Sequence, residues 1–213
     1  MEAKVIEALK GGRRLGIMGG TFDPIHYGHL VAAETARDEL GLDNVLFIPT
    51  GIPPHKLNRR VTDANLRYAM VEMSIRNNKY FKVSKLEIER EGPTYTIDTL
   101  RILHTFFPEQ ELYFITGTDA LRELFTWREP EEIIRLAKII GASRPGYDSY
   151  GLLASFARKY SFPKDQILLL EIPALAISST DIRARVHKKK SIRYLLPDEV
   201  RLFIKENKLY QEL

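Results

Sequence analysis

Short apolar runs alternate along the chain with longer segments in which apolar residues recur at helical spacing. The runs predict buried strands at residues 15–18, 44–48, 111–116, 138–143 and 167–172. The longer segments predict helices at about residues 29–40, 63–75, 94–106, 131–137, 147–163 and 197–207. Residues 80–89, where apolar and charged positions alternate, predict strands or an extended segment. Strands and helices that alternate in this way predict an α/β fold with a mainly parallel sheet and right-handed crossovers.

The two ends of the chain extend this α/β body. With 213 residues the chain is long enough for one domain, so we expect residues 1–213 to form a single unit. Residues 1–13 predict a short amphipathic helix, an N-terminal extension that packs against the body. Residues from about 177 to 213 predict a helical C-terminal part.

The composition excludes several kinds of chemistry. The absence of cysteine excludes disulfides, a thiol nucleophile and cysteine-ligated zinc, and it fits the cytosol. No apolar run approaches the roughly 18 residues that span a membrane, and the N-terminus lacks the apolar core of a signal peptide. We therefore expect a cytoplasmic protein without membrane contact. The net charge of +4 suits an anionic small molecule and does not by itself indicate nucleic acid.

The most informative stretch is RLGIMGGTFDPIHYGHL, residues 14–30. Its predicted strand ends in Gly19-Gly20, where the backbone can approach a ligand closely. A turn follows, and His26 and His29 then stand three residues apart where a helix begins. Amide groups and the positive end of the helix dipole would point at one spot there, which predicts an anion site. The two imidazoles indicate that the charge of this anion is handled during a reaction.

Each of these features alone has an ordinary explanation, because Gly-Gly is commonly a turn and a histidine at a helix start is commonly a cap. The usual G-x-G-x-x-G and P-loop patterns are absent. The combination of GGTFDP with H-x-G-H resembles the HxGH nucleotidyltransferase superfamily. The string from Gly19 to His29 is similar to that of the bacterial nicotinate-nucleotide (NaMN) adenylyltransferases. The resemblance implies a Rossmann-like, doubly wound α/β fold with helices on both faces of the sheet.

A second motif, ISSTDIR, lies near the end of the chain at residues 177–183. Its serines and threonine predict a helix start, and Arg183 lies one turn after Thr180 on the same side. Hydroxyls, free N–H groups and a guanidinium predict a second anion site, although a serine-capped helix with a surface arginine would have the same sequence. The string resembles the ISSTxxR motif of the same superfamily and follows HxGH in the expected order.

The resemblance implies that ATP and NaMN react to give nicotinic acid adenine dinucleotide (deamido-NAD) and pyrophosphate, in NAD biosynthesis. Mg²⁺ would arrive with ATP, and no metal ligands are predicted in the chain itself. The nucleophile is the phosphate of the mononucleotide, whose second pKa of about 6 leaves it anionic at pH 7 without a general base. Catalysis would then consist of aligning an in-line attack and neutralising charge. The sequence leaves the oligomeric state open, a homo-oligomer included.

The family motifs imply roles for individual residues in the ATP half of the site. His26 and His29 would contact the α- and β-phosphate oxygens, and Lys56 and Arg183 the transferred phosphate and the leaving pyrophosphate. Ser178, Ser179 and Thr180 would bind the β- and γ-phosphates. Further ATP contacts are implied at Gly19, Gly20, Thr21, Phe22, Gly117, Asp119, Arg144 and Ile177. Asp119 would either accept hydrogen bonds from the hydroxyls of a ribose or cap the next helix, and Arg144 would lie beside the adenine or its ribose.

The mononucleotide half would involve Lys56, Tyr95, Thr96 and Trp127. Lys56 lies in a loop that follows a strand, and such loops bind ligands in α/β sheets. The backbone near Thr96 would meet the pyridine carboxylate at a helix N-terminus, which favours nicotinate over the neutral nicotinamide. Trp127 is the only tryptophan. A core position is its ordinary explanation, but its flat ring suits stacking on a pyridine, the role that the resemblance assigns.

Three alternatives remain. Phosphopantetheine adenylyltransferase shares the superfamily, but its motifs resemble GSFDP and TxGH, so Thr21 and His26 argue against it. A fragment of a class I tRNA synthetase would be longer and would carry KMSKS, which is missing. A nucleotide sensor or RNA-binding module on the same fold is supported only by the basic charge and the lysine run at 188–190.

Overall fold

The computed structural model describes residues 1–53, 61–143, 165–173 and 176–212, together with Gly151, Ala154, Phe156 and Pro163. Lys56, Arg144 and most of the helix predicted over residues 147–163 therefore lie outside the described residues.

The centre of the structure is a six-stranded sheet in which every neighbouring pair is parallel. The strands, in chain order, are β1 Arg14–Gly20, β2 Asn44–Pro49, β3 Phe81–Val83, β4 Glu111–Gly117, β5 Lys138–Ser143 and β6 Ile167–Glu171. They lie side by side in the order β3-β2-β1-β4-β5-β6. The predicted parallel α/β fold is thus confirmed. Strand β3 is shorter than the pattern over residues 80–89 suggests, because the chain turns away from the sheet after Val83.

Helices surround this sheet. Those in the described ranges are α1 Ala3–Leu9, α2 Tyr27–Glu39, α3 Ala64–Ile75, α4 Thr96–Phe106, α5 Thr118–Arg122, α6 Pro130–Leu136, α7 Ser179–His187 and α8 Asp198–Glu206. Asp63 caps α3 by accepting hydrogen bonds from the backbone N–H groups of Asn65 and Leu66. Within the described ranges, no helix is long and apolar enough to cross a membrane.

Both faces of the sheet are covered, which explains why the strands are continuous apolar runs. Leu15 and Ile17 of β1 pack in a layer with α1, α4 and α6. Met18 of the same strand packs in the opposite layer with α2, α3, α7 and α8. Successive residues of one strand therefore enter two different cores, as the pleat of a strand requires.

The N-terminal extension packs against the body, as the sequence predicts. Val5 and Leu9 of α1 are buried in the layer that also contains α4. The carboxylate of Glu2 accepts hydrogen bonds from the Ser84 hydroxyl at 2.7 Å and from the Lys85 backbone N–H at 2.9 Å. These bonds attach the first residues to the chain just beyond β3.

The strand order places a crevice at the carboxyl ends of β1 and β4. From β1 the chain proceeds outward to β2 and β3, and it then returns to β4 on the other side of β1. Helix α2, after β1, and helix α5, after β4, lie in opposite layers of the core. A reversal of this kind opens a ligand-binding crevice in doubly wound sheets. Gly19-Gly20 and Gly117 lie at this edge.

Candidate active site

The two histidines of the first motif form one stacked pair at the start of α2. Their ring centroids lie 3.8 Å apart, with 22° between the ring planes. The backbone N–H of His26 donates a hydrogen bond to Nδ1 of His29 at 3.2 Å. A Cβ at Gly28 would lie only 3.0 Å from the His26 ring. The glycine inside H-x-G-H therefore lets the first imidazole pack closely over the backbone, and a larger residue there would force the ring to shift.

Both imidazoles are uncharged at pH 7. Burial lowers the pKa of His26 to about 4. Burial also lowers the pKa of His29 well below its ordinary value, and the neighbouring His26 lowers it further. Because Nδ1 of His29 accepts a hydrogen bond, its proton resides on Nε2. Nδ1 of His26 is buried without a hydrogen-bond partner in the described part of the chain, which is uncommon for a buried polar atom.

The turn between β1 and the histidines has an unusual backbone. Phe22 adopts a left-handed conformation with φ of 49°, although it is not glycine. Its buried ring approaches His29 edge-on, with ring centroids 5.1 Å apart. Strain of this kind is often found at functional sites, where the surrounding structure supports it.

A network of hydrogen bonds supports this turn. The buried Arg67 guanidinium donates to the backbone carbonyls of Thr21 at 2.7 Å, Thr62 at 2.8 Å and Gly51 at 3.2 Å. The carboxylate of Asp23 accepts from the Tyr210 hydroxyl at 2.7 Å and from the Thr62 N–H at 3.3 Å. Loops that follow β1 and β2 are thereby joined to α3 and to the C-terminus.

The second motif contacts the first directly. Arg183 of α7 donates through Nη1 to the Asp23 carbonyl at 2.7 Å, and the Ser179 hydroxyl donates to the Pro24 carbonyl at 2.8 Å. Nη2 of Arg183 also lies 3.3 Å from the hydroxyl of Thr180. Ser178 caps α7, because its hydroxyl accepts from the Asp181 N–H at 3.1 Å. The two predicted anion sites therefore lie together at one edge of the sheet.

A cleft of about 570 Å³ opens beside this edge. It is lined at one end by the glycine turn of β1 and at the other by aromatic and threonine side chains. The predicted residues on its wall are Gly19, Gly20, Thr21, Tyr95, Thr96 and Trp127. Trp127 meets Phe114 edge-on at 5.9 Å between ring centroids. The Arg128 guanidinium lies 5.0 Å from the centre of the Tyr95 ring.

A larger cavity of about 700 Å³ lies near the C-terminal ends of α7 and α8, and its lining includes Lys189, Lys190 and Arg193. None of the predicted site residues lines it. The candidate site is therefore the edge where the two motifs meet, and not the larger cavity.

Comparison with known proteins shows the family of this chain. The cytidylyltransferase-like family model matches residues 17–185. A protein of Desulfitobacterium hafniense (strain DSM 10664 / DCB-2), named probable nicotinate-nucleotide adenylyltransferase, is 57% identical over 199 residues, which are 93% of this chain and 96% of the relative. The chain belongs to the nicotinate-nucleotide adenylyltransferase family. A relative from Moorella thermoacetica with the same printed name is 50% identical over 93% of this chain and 92% of its own length.

The fold of the family is also found in solved structures. The Plasmodium falciparum nicotinic acid mononucleotide adenylyltransferase complexed with NaAD matches with a TM-score of 0.78 and 23% identity, over 93% of this chain and 98% of the other. The same protein complexed with APC matches with a TM-score of 0.76. These matches show that the Rossmann-like arrangement of this chain is that of its family.

Gly117 and Asp119, two of the predicted ATP contacts, lie where β4 ends and the short helix α5 begins. Helix α5 begins at Thr118 with Gly117 as its N-cap. Asp119 is exposed in the first turn and makes no capping bond, so the capping alternative for this residue is wrong. Its ribose-binding alternative stays a prediction.

The sequence pattern did not single out several residues that line or support the candidate site. Gly28 is one, although the H-x-G-H string contains it. Arg67 gives a weak signal, as an arginine in a mostly apolar helix, and Tyr210 gives none. Glu87 lines the cleft and accepts a hydrogen bond from the Thr99 hydroxyl at 2.6 Å, while burial raises the pKa of its carboxyl group.

Proposed function

We propose that this chain transfers the adenylyl group of ATP to nicotinate mononucleotide, giving nicotinic acid adenine dinucleotide and pyrophosphate. The family and the names of its members support this activity. A neighbour of the same fold, at 23% identity, has been solved with NaAD and with APC. In this reaction a phosphate oxygen of the mononucleotide attacks the α-phosphorus of ATP. The bond between that phosphorus and the α,β-bridging oxygen breaks, and pyrophosphate leaves.

The observation that carries the proposal is the direct contact between the two motifs. Arg183 and Ser179 bond to the backbone of Asp23 and Pro24, only a few residues from the imidazole pair. One polyphosphate can therefore meet both motifs at once. An arrangement with the motifs on opposite faces of the sheet would not permit this.

We propose that the imidazoles act as neutral hydrogen-bond donors. With its Nδ1 occupied by the His26 N–H, His29 offers Nε2–H to a phosphate oxygen. Donors that are fixed before the reaction stabilise the charge that develops on the equatorial oxygens, because they need no reorganisation in the transition state. The stack with His26 and the edge contact with Phe22 hold the His29 ring in place.

We propose that the second motif binds the leaving end of the triphosphate. The N-terminus of α7 presents free N–H groups beside the Thr180 hydroxyl and the Arg183 guanidinium. Two serine hydroxyls of the motif are engaged within the protein, Ser178 in the cap and Ser179 with Pro24. These two therefore shape the site, while the N–H groups, Thr180 and Arg183 remain suited to contact phosphate.

The cleft fits the acceptor. Its aromatic wall at Trp127 suits a flat pyridine ring. Helix α4 begins at Thr96 with Tyr95 as its N-cap. No side-chain capping bond is made there, so the free N–H groups of the first turn can receive a carboxylate. This supports nicotinate over nicotinamide as the acceptor ring.

Mg²⁺ enters this proposal as part of the substrate MgATP. In the described ranges no three His, Cys, Asp or Glu side chains are grouped as a metal site, and Mg²⁺ commonly binds through substrate phosphates. The cytoplasmic location, the roles of Lys56 and Arg144, and a homo-oligomeric state stay predictions.

A pyrophosphate-release assay tests the proposal. Purified protein is supplied with MgATP and, in separate reactions, nicotinate mononucleotide, nicotinamide mononucleotide or phosphopantetheine. We expect fast release with nicotinate mononucleotide and much slower release with nicotinamide mononucleotide. Release only with phosphopantetheine would favour that alternative, and ATP binding without release with any acceptor would favour a nucleotide-binding module.

A further inference from the structure

We propose that the C-terminal segment, residues 208–211, is a clamp that holds the two phosphate-binding motifs together, with Tyr210 as a positioning residue for ATP. The inference rests on the proposed function, since it assigns a task in ATP binding. Neither the motifs nor the family model, which ends at residue 185, includes this segment.

The clamp contacts an element of each motif. The Tyr210 hydroxyl donates to Oδ1 of Asp23 at 2.7 Å, across a separation of 187 residues. The neighbouring Gln211 carbonyl lies 3.0 Å from Nδ1 of His187, the last residue of α7. The segment therefore joins the turn that follows β1 to the far end of the helix that carries the second motif.

Asp23 relays the position of Tyr210 to Arg183. Asp23 is 6% exposed, and its carboxylate accepts hydrogen bonds from the Tyr210 hydroxyl on one oxygen and from the Thr62 N–H on the other. The carbonyl of the same residue receives Nη1 of Arg183. If the Asp23 side chain rotates, its backbone is strained and the Asp23 carbonyl moves. This carbonyl is the acceptor that orients the Arg183 guanidinium.

The backbone of the clamp directs Tyr210 back toward the site. Lys208 and Tyr210 both have left-handed backbones, with φ of 52° and 61°. Leu209 donates its N–H to the Ile204 carbonyl at 3.0 Å, and the side chains of Leu209 and Tyr210 pack against the core layer of α2 and α7. Two strained residues separated by a single residue persist only where such contacts hold them.

The hydroxyl of Tyr210 stays protonated over the working pH range. Burial raises its pKa, and the neighbouring carboxylate of Asp23 raises it further. The charged groups that face this pair are Arg67 and Arg183. Tyr210 therefore acts as a permanent donor that completes the hydrogen bonding of a buried carboxylate.

The variant Tyr210→Phe removes the hydroxyl and keeps the ring. We expect kcat/KM for ATP to fall about tenfold, because a displaced Arg183 binds phosphate less well. The KM for nicotinate mononucleotide should change less than twofold. The matched control is Tyr194→Phe, since Tyr194 also has a left-handed backbone but its side chain is not held in the site, with 82% of the residue exposed. It should retain wild-type constants.

Calorimetric titration with MgATP separates this inference from the proposed function. If wild-type protein binds MgATP but makes no dinucleotide, the proposed function fails. The clamp is still tested in that case, because Tyr210→Phe should bind MgATP about tenfold more weakly than the wild type. Unchanged MgATP affinity in Tyr210→Phe overturns the clamp. Equal losses for both substrates, in step with a lowered melting temperature, would reduce Tyr210 to a structural role and also overturn it. Absence of MgATP binding in the wild type overturns both proposals.

Discussion

The phosphate end and the ring cleft of the candidate site are built in different ways. At the phosphate end, groups from distant segments hold one another, with the buried Asp23 contacted by Thr62, Arg183 and Tyr210. The ring cleft, by which we mean the part of the cavity lined by Tyr95, Thr96 and Trp127, is walled by aromatic side chains such as Trp127, which packs edge-on against Phe114. Charge changes only at the phosphates during the reaction, and groups that stabilise such charge act best when fixed beforehand. The ring is merely selected, so its cleft can remain open.

The largest expected effect comes from His29→Ala at the phosphate end. If Nε2–H stabilises charge only in the transition state, kcat should fall by roughly 10²–10³, with little change in either KM. The measurement is steady-state kinetics with both substrates varied. His104→Ala, on an exposed turn of α4, serves as the control and should leave kcat unchanged. An unaltered kcat in His29→Ala would remove this residue from the mechanism.

Arg67 supports loops that border both halves of the site, so its replacement should lower the stability of the protein. Arg67→Lys retains the charge, but a single ammonium cannot reach all three carbonyls, which lie in the connections that follow β1 and β2. We expect the free energy of unfolding to fall by about 2–4 kcal/mol, because buried carbonyls lose their donors. Urea denaturation measures this change. Arg76→Lys, at an exposed ion pair with Glu199, should cost less than about 1 kcal/mol. Similar losses in the two variants would contradict the bridging role.

The pH dependence of stability tests the neutral histidine pair. The folded-state pKa of His26 is about 4, below the ordinary 6.5, so the unfolded chain binds more protons between these values. Stability from this group is therefore complete above about pH 6.5 and decreases as the pH falls toward 4. We expect a loss of about 2 kcal/mol from His26 alone between pH 7.5 and pH 5.

Urea denaturation at the two pH values, for wild type and for His26→Gln, measures the contribution of this histidine. The variant lacks the titrating group, so its stability should fall by about 2 kcal/mol less than that of the wild type over the same interval. An equal pH dependence in both proteins would show that His26 is not held neutral by the fold.

The smallest of these effects is expected in the ring cleft. Trp127→Ala should raise the KM for nicotinate mononucleotide about tenfold and leave the KM for ATP unchanged, because loss of aromatic stacking costs roughly 1–3 kcal/mol. Trp127→Phe should recover most of the affinity. If both KM values rise equally in Trp127→Ala, the tryptophan is structural and the division between the two halves does not hold.

The fold and the two motifs could be predicted from the sequence, whereas the side chains that support the site could not. The parallel sheet followed from apolar runs that alternate with helical segments, and the meeting of the motifs followed from their family pattern. The supporting network could not be predicted in this way. Tyr210 bonds to Asp23 across a separation of 187 residues, and the pattern of apolar residues along the chain does not predict such a contact. Arg67 bonds to three loop carbonyls whose positions depend on the assembled fold. Which side chains line the cleft likewise depends on loop geometry, as Glu87 and Arg128 illustrate.

The central claim is that the imidazole pair and the second motif act on one triphosphate during adenylyl transfer. The most direct measurement follows the α-phosphate of ATP with a radioactive label in the presence of nicotinate mononucleotide. We predict that the label appears in the dinucleotide for the wild type, and at least about 100-fold more slowly for His29→Ala. Label that stays in ATP, or that appears only as AMP or ADP, would contradict the account.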